Sequence, residues 1–176
     1  MQSRALLVRG HQGVGKTTLS EQLATDHGFC RLSKDSFYVP VMERYGDHRS
    51  ASDIAYMGLR SVLRSNPSSG VNFVVDAPFN GPVSAPALIE DLTSWGFVAK
   101  SVLLICSDHE VWEQRLRTRG SAPNHLVTSL DEIRSFRGNL DSIPFRDELV
   151  LDTANANATA GHLAQQCAEY LLADQQ

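Results

Sequence analysis

The sequence predicts an α/β fold in which a five-stranded parallel sheet is covered by helices on both faces. Short apolar runs that suit buried strands alternate along the chain with segments whose apolar residues recur at helical spacing. These apolar runs do not alternate with polar residues, as the strands of a sheet with one solvated face would. Alternation of helices with fully apolar strands is the pattern of a doubly covered parallel sheet.

Length and composition set further expectations. The chain has 176 residues, enough for one domain with a sizeable core, and its apolar fraction of 42% is ordinary. No apolar run is long enough to span a membrane, and no signal peptide is expected because the first residues lead straight into a strand. Three distant cysteines, Cys30, Cys106 and Cys167, indicate buried thiols in a reducing compartment, and the cytoplasm is the expected location. The net charge of −4 disfavours a general nucleic-acid surface.

The first half of the chain predicts three strands and two helices. The apolar run 5–8 suits a buried strand, and a helix is expected at 18–24, after the glycine loop, because Leu19 and Leu23 lie four residues apart there. A second strand is expected at 28–33. Residues 37–50 contain a proline and a glycine and show no clean period, so we expect a loop or a broken helix over a site. A helix at 51–65 and a third strand at 71–76 complete this half, in that order along the chain.

The second half predicts two more strands and four helices. Ser84 is a plausible N-cap, and Ser107 and Ser129 each precede Glu by three residues, which is the signature of a capping box at a helix start. The expected elements are a helix from Ser84 through Trp95, a strand at 101–106, a helix after 107–110, a helix from Ser129 through Leu140, a strand at 148–152 and a helix at 158–173.

A glycine-rich loop between the first strand and the first helix points to phosphate binding. Residues 10–17 read GHQGVGKT and fit the pattern G-x-x-x-x-G-K-[ST], and they stand in the strand–loop–helix order that this pattern requires. In such loops backbone N–H groups surround phosphates, the Lys reaches the β- and γ-phosphates, and the helix N-terminus adds unpaired N–H groups. The residues expected to bind nucleotide here are Gly10, Gly13, Val14, Gly15, Lys16, Thr17 and Thr18.

Two acids follow the second and third strands, where a parallel sheet binds its ligands. Asp76 ends the run Val-Val-Asp and is the candidate partner of the Thr17 hydroxyl in holding Mg²⁺. Asp35 could accept the proton of an acceptor hydroxyl, which is the task of a catalytic acid in phosphoryl transfer. In the irregular stretch that follows Asp35, we expect Tyr38, Arg44 and His48 to contact the acceptor.

Two arginines are expected to clamp phosphate or stack on a base. Arg115 and Arg119 lie four residues apart and therefore share one helical face. Planar guanidinium groups suit both tasks. The following residues, 120–124, have the composition of a flexible flap. Together with Lys16 and Asp35, Arg119 is assigned here to the catalytic group.

These features resemble the small P-loop kinases, in particular the branch that phosphorylates hydroxyl groups of small molecules or nucleic-acid ends. Chloramphenicol phosphotransferase-like, zeta-toxin-like and polynucleotide-kinase-like enzymes belong to this group. The resemblance covers most of the chain and is carried by Gly10–Thr18, Ser33–Asp35, Val74–Phe79, Arg115–Gly120 and Val150–Thr153.

The resemblance implies a P-loop NTPase fold with a small lid, and it implies ATP and Mg²⁺ as cofactors. By the same resemblance Asp35 acts as base, a mobile lid at approximately 115–127 carries the two arginines, and adenine lies partly against the loop that begins at Thr153. The whole chain, 1–176, is then one kinase domain.

Three functions are compatible with these residues. The first is an ATP-dependent kinase that transfers the γ-phosphoryl group to a hydroxyl of a small molecule, such as an antibiotic, a nucleoside or another natural product. The second is a polynucleotide 5′-hydroxyl kinase, which would need a basic channel that the acidic balance disfavours. The third is a nucleotide-binding regulatory ATPase switch, whose turnover would not respond to any acceptor.

Overall fold

The computed structural model describes residues 2–79, 84–119, 127–155 and 158–173, without the side chain of Arg137. Over these ranges the chain forms an all-parallel five-stranded sheet and seven helices, which confirms the predicted α/β class and is consistent with a P-loop NTPase fold. In chain order the elements are β1 (Arg4–Arg9), α1 (Lys16–His27), β2 (Cys30–Ser33), α2 (Lys34–Tyr45), α3 (His48–Arg64), β3 (Asn72–Asp76), α4 (Ala85–Ser94), β4 (Val98–Ile105), α5 (His109–Thr118), α6 (Leu130–Arg137), β5 (Leu149–Asp152) and α7 (Ala160–Leu172).

The strand order, β2-β3-β1-β4-β5, places the strand before the glycine loop in the centre of the sheet. In the parallel register Val8 of β1 pairs with Asp76 of β3, and Asp76 pairs with Ser33 of β2. These three strands therefore end at the same level. The glycine loop, the start of α2 and Asp76 therefore lie together at the C-terminal ends of these strands.

The central strand shows why both faces of the sheet are covered. Leu6 and Val8 belong to a buried cluster formed with α1, α5, α6 and α7, whereas Ala5 and Leu7 belong to a second cluster formed with α3 and α4. All four side chains are fully buried. Successive side chains of a strand point to opposite faces, so an uninterrupted apolar run is the expected sequence of such a strand.

Residues 37–50 were expected to form a loop or a broken helix, and the second alternative is confirmed, because they lie in two helices, α2 and α3, that are separated at Gly46 and Asp47. The Ser33 side chain caps α2 by accepting the Asp35 N–H at 3.3 Å, and Gly46 ends that helix in the left-handed region at φ 69°. Pro40 lies inside α2. The helix packs against α3, where Tyr38 contacts a small buried cluster with Ala51 and its neighbours. The expected helix at 51–65 is confirmed, but it begins earlier, at His48.

Helix caps account for several smaller differences. Ser84 and Ser129 accept the hydrogen bonds expected of N-caps. Ser107 is not the N-cap of α5, because its hydroxyl bonds Asp152 Oδ2, and the Asp108 side chain accepts the capping hydrogen bonds instead. The helix that was expected to reach Leu140 ends before Gly138, whose φ is 81°.

One further expectation from composition is wrong. Cys106 and Cys167 are buried thiols as predicted, but Cys30, at the start of the edge strand β2, is exposed. Among the described helices none is both long and apolar enough to cross a membrane.

Candidate active site

The glycine loop is pressed against two neighbouring elements, which explains its composition. Gly10, Gly13 and Gly15 all have positive φ angles, of 137°, 82° and 96°. A Cβ on Gly10 would lie 2.4 Å from the carbonyl oxygen of Leu104, and one on Gly13 would lie 2.8 Å from a methyl carbon of Leu116. At Gly10 and Gly13 both the angle and the space therefore require glycine, and at Gly15 the angle favours it.

Three further contacts set how the loop enters α1. The indole N–H of Trp112 donates to the Gln12 carbonyl oxygen at 2.8 Å, and the Val14 side chain is buried in the core. Gly15 occupies the N-cap position, and no side chain caps α1. The first-turn N–H groups of α1 are then left for an anion, which is the arrangement that phosphate-binding loops use.

Lys16 is held inside this loop. Its Nζ donates to the His11 carbonyl oxygen at 2.7 Å. Burial lowers the pKa of Lys16 to about 8; the nearby Arg119 lowers it further, while the carboxylates of Asp76 and Asp35 oppose the shift. An anion that approaches Nζ would favour the charged form and raise this pKa again.

Asp76 and Thr17 meet at the base of the loop. Asp76 Oδ2 accepts hydrogen bonds from Thr17 Oγ1 at 3.1 Å, from Ser20 Oγ at 3.4 Å and from Arg31 Nη2 at 3.4 Å. A hydroxyl and a carboxylate beside a phosphate site are the hard oxygen ligands that Mg²⁺ uses together with phosphate oxygens and water. The described residues contain no cluster of three or more carboxylate, histidine or cysteine ligands, and Mg²⁺ beside a nucleotide needs none.

A small cleft of about 240 Å³ joins this centre to α2 and α3. Asp35, in the first turn of α2, lines it together with Lys16 and Asp76. Two predicted acceptor-binding residues also line it, and they contact each other: Tyr38 Oη and His48 Nδ1 are 2.5 Å apart. Burial, and to a lesser extent Asp35, raises the pKa of the Tyr38 hydroxyl. Arg44, the third predicted acceptor residue, is exposed near the end of α2 and does not line the cleft.

A larger cavity of about 440 Å³ lies on the other side of the loop, beside α5 and α7. Gly13, the residues from Gly15 to Thr18, Arg115 and Thr153 all line it. Arg115 donates to Thr153 twice, from Nη1 to the hydroxyl at 2.8 Å and from Nη2 to the carbonyl oxygen at 2.9 Å. These bonds tie both terminal nitrogens of the Arg115 guanidinium to Thr153 at the wall of the cavity.

Arg119 lines both cavities and thus stands between them, as do Lys16 and Thr17. It is the C-cap residue of α5. Residues 120–126 of the expected lid lie outside the described part of the chain.

Four residues at the site were not predicted from the sequence. Arg31 and Ser20 contact Asp76, and the Lys34 ammonium lies 4.7 Å from the centre of the Tyr38 ring. Gln12 Oε1 is buried and accepts no hydrogen bond from the described residues. Two of them carried a sequence signal: Gln12 lies inside the glycine-loop motif, and Lys34 is the neighbour of Asp35. The contacts of Arg31 and Ser20 with Asp76 join β2 and α1 to β3, and no local motif encodes them.

Comparison with known proteins agrees with this architecture. A family model described as AAA domain matches residues 6–141 of the chain. No curated protein sequence is significantly similar to it.

Several solved structures share the fold over nearly the whole chain. A candidate kinase from Chloroflexus aurantiacus is 22% identical, with 98% of each chain covered and a TM-score of 0.73. The APS kinase CysC from Mycobacterium tuberculosis, solved with AMPPNP and APS, is 15% identical over 97% of this chain and 98% of its own, with a TM-score of 0.65. The tunicamycin resistance protein from Deinococcus radiodurans is 18% identical over 95% and 94%, with a TM-score of 0.66.

Proposed function

The chain belongs to this family of AAA domains, and on that premise we propose that it is an ATP- and Mg²⁺-dependent kinase acting on a hydroxyl group of a small molecule. One observation carries the proposal: Asp35 shares a cleft with Lys16, Thr17 and Asp76. A binding module would need the phosphate loop alone. A carboxylate placed beside that loop, in the wall of a second cavity, is what transfer to an acceptor requires.

The donor half of the reaction is assigned to the larger cavity. The glycine loop and the start of α1 would hold the phosphates through backbone N–H groups, with Lys16 beside the transferred group. Thr17 and Asp76 would hold Mg²⁺, which neutralises phosphate charge when it is bound. The face of Arg115 and the Thr153 region would hold the base, since both line the end of the cavity beside α7.

The acceptor half is assigned to the smaller cleft. Asp35 would accept the proton of the acceptor hydroxyl or hold that hydroxyl in line with the phosphate. Arg119 lines both cavities and would stabilise the charge of the group in transfer. Tyr38 and His48 would contact the rest of the acceptor. Arg44 is not assigned to it.

The proteins of similar fold support this division. The APS kinase was solved with AMPPNP and APS together, so the fold can hold a nucleotide and a second ligand at once. We further propose that the chain is one kinase domain, with a lid around residues 115–127 that closes over the donor.

The test is a screen for phosphate transfer from γ-labelled ATP in the presence of Mg²⁺. The panel contains hydroxylated small molecules, nucleosides and 5′-hydroxyl oligonucleotides, and a small molecule is the expected acceptor. Lys16→Ala should abolish transfer, and Lys100→Ala, which removes a lysine outside both cavities, should leave it intact. Labelling of oligonucleotides alone would indicate a polynucleotide kinase. ATP hydrolysis that no acceptor changes would contradict the kinase and favour a regulatory switch.

A further inference from the structure

Arg31 contacts the residue assigned to the metal without touching the cavity in which the reaction would occur. It lies on β2, next to β3, and its guanidinium reaches the carboxylate of Asp76, with Nη2 at 3.4 Å from Oδ2. Its Nε donates to Ser20 Oγ at 2.9 Å. Neither Arg31 nor Ser20 lines the donor or the acceptor cavity.

Ser20 links Arg31, Asp76 and Thr17 in a small hydrogen-bond network. Its hydroxyl accepts from Arg31 and lies 3.4 Å from Asp76 Oδ2 and 2.9 Å from the Thr17 carbonyl oxygen. Arg31, Ser20 and the two proposed metal ligands are thus joined directly. Glu21 holds the opposite side of the guanidinium, with Oε1 at 3.4 Å from Nη1.

The contacts fall on one oxygen of the carboxylate. Thr17, Ser20 and Arg31 all bond Asp76 Oδ2, and among the described residues none donates to Oδ1. A carboxylate fixed through one oxygen keeps a constant orientation and leaves the other oxygen for a ligand. The pair is also shielded from water: side-chain exposure is 6% for Asp76 and 28% for Arg31, so the contact is more than a screened surface ion pair.

We propose that Arg31 is a positioning residue for the divalent-metal site, and that it acts by fixing the orientation of Asp76. This role rests on one part of the proposed function, namely that the protein binds a metal–nucleotide complex; it does not depend on phosphate transfer. The planar fork of arginine is essential, because two different nitrogens reach Ser20 and Asp76 at once. A lysine at this position would keep the charge but could not span both partners in that geometry.

The experiment measures metal affinity rather than catalysis. Mn²⁺ binding to the full-length protein saturated with AMPPNP is followed by electron paramagnetic resonance, and AMPPNP binding without metal is measured in parallel. Arg31→Gln should weaken Mn²⁺ binding about 10-fold or more, the effect typical of groups that orient a metal ligand. Arg31→Lys should weaken it to a similar degree. AMPPNP binding without metal should stay unchanged in both, which also shows that they fold.

Arg60→Gln is the matched control. Arg60 forms an ion pair with Asp91 at 2.5 Å with a side-chain exposure of 36%, and it lines neither cavity. The Mn²⁺ affinity of the Arg60→Gln variant should equal that of the wild type. If Arg31→Gln does not fold, Ser20→Ala tests the same network, and it too should weaken Mn²⁺ binding.

Three results would overturn the proposal. Unchanged or tighter Mn²⁺ binding in Arg31→Gln would mean that the guanidinium does not position Asp76. Full recovery in Arg31→Lys would mean that charge alone matters. A wild-type protein that binds AMPPNP but no Mn²⁺ would refute both this role and the metal-dependent reaction. Metal binding that follows the expected pattern without transfer to any acceptor would refute only the kinase.

Discussion

Asp35 owes its place in the cleft to the residue two positions before it. Ser33 ends β2 and caps α2 through the Asp35 N–H, so the chain turns directly from strand to helix. This turn carries the Asp35 side chain into the first turn of α2, beside Asp76 of the neighbouring strand. The sequence predicted an acid after the second strand, but it did not predict the Ser33 cap that sets the direction of α2 and so the position of Asp35.

The first prediction concerns this acid. Asp35→Asn keeps the size of the side chain but removes the proton acceptor, so phosphate transfer to the acceptor should fall about 10² to 10⁴-fold. ATP affinity should change little. Single-turnover transfer and ATP binding, measured on one preparation, check both. Asp53→Asn removes an exposed carboxylate of α3 that lines neither cavity, and it should behave as wild type. Equal transfer in both variants would remove Asp35 from the mechanism.

The second prediction concerns Lys16 and the pH. The pKa of Lys16 is about 8 without nucleotide, below its ordinary value of 10.5, because burial disfavours the charged form. Phosphate charge beside Nζ should raise this pKa, so binding should take up as much as about one proton above pH 8 and almost none near pH 6.5. Affinity should accordingly fall as the pH rises through 8.

Calorimetry in buffers of different ionisation enthalpy measures this proton uptake. Lys16→Ala should abolish it while the protein stays folded. Nucleotide binding by the wild type at about pH 8.5 without proton uptake would show that Lys16 does not face the phosphates.

The site residues that belong to one local motif could be predicted from the sequence, whereas contacts between residues on different strands could not. The positions of Lys16 and Thr17 follow from spacing within eight residues of a loop whose backbone geometry is fixed. The contact between Arg31 and Asp76 joins residues 45 positions apart through the pairing of β2 with β3. No local sequence pattern specifies which strands become neighbours, so a contact such as that of Arg31 with Asp76 cannot be predicted before the fold is known.

At the scale of elements, α2 was the helix that the sequence left undecided, because a loop and a broken helix were both expected for residues 37–50. It contains Pro40, and Tyr38 is its only buried side chain. Its sequence therefore shows no helical period of apolar residues along its length. Its packing on α3 and the cap at Ser33 outweigh this weak intrinsic preference. The strongly amphipathic helix α3, by contrast, was recognised, although its first turn was not.

The third prediction concerns the glycine loop as an element. Gly13→Ala would force a side chain into a left-handed conformation, which costs about 1–2 kcal/mol, and would place a methyl group against Leu116 of α5. The loop should shift and lose phosphate hydrogen bonds worth about 1.5–3 kcal/mol each. ATP affinity should therefore fall at least about tenfold.

Gly28→Ala provides the comparison for this loop variant. Gly28 has a φ of 68°, similar to that of Gly13, but nothing lies within 4 Å of its added Cβ. This variant should show the backbone strain as a lower melting temperature with ATP affinity unchanged. If both variants bind ATP like the wild type, the contact of the loop with α5 has no role in shaping the phosphate site.

At the scale of the whole molecule, a buried ion pair ties the centre of the sheet to the chain before β5. Arg9, the last residue of β1, donates from Nε to Glu148 Oε1 at 2.7 Å and from Nη2 to the Ile143 carbonyl oxygen at 2.7 Å. Glu148 also accepts the Phe145 N–H at 3.0 Å, and the Arg9 guanidinium lies 4.0 Å from the centre of the Phe145 ring. Because Arg9 directly precedes Gly10, this network also anchors the entry to the phosphate loop.

The last prediction follows from the burial of this pair. Side-chain exposure is 9% for Arg9 and 1% for Glu148, so removing one partner leaves an uncompensated charge in the interior. Arg9→Met should lower the free energy of unfolding by about 3–5 kcal/mol, measured by urea denaturation. The double variant Arg9→Met/Glu148→Leu removes both charges and should lose less. Arg134→Met breaks an exposed pair with Asp131 and should cost no more than about 1 kcal/mol. A double variant as unstable as Arg9→Met would show that the hydrogen bonds to the backbone, rather than the unpaired charge, hold this segment against β1.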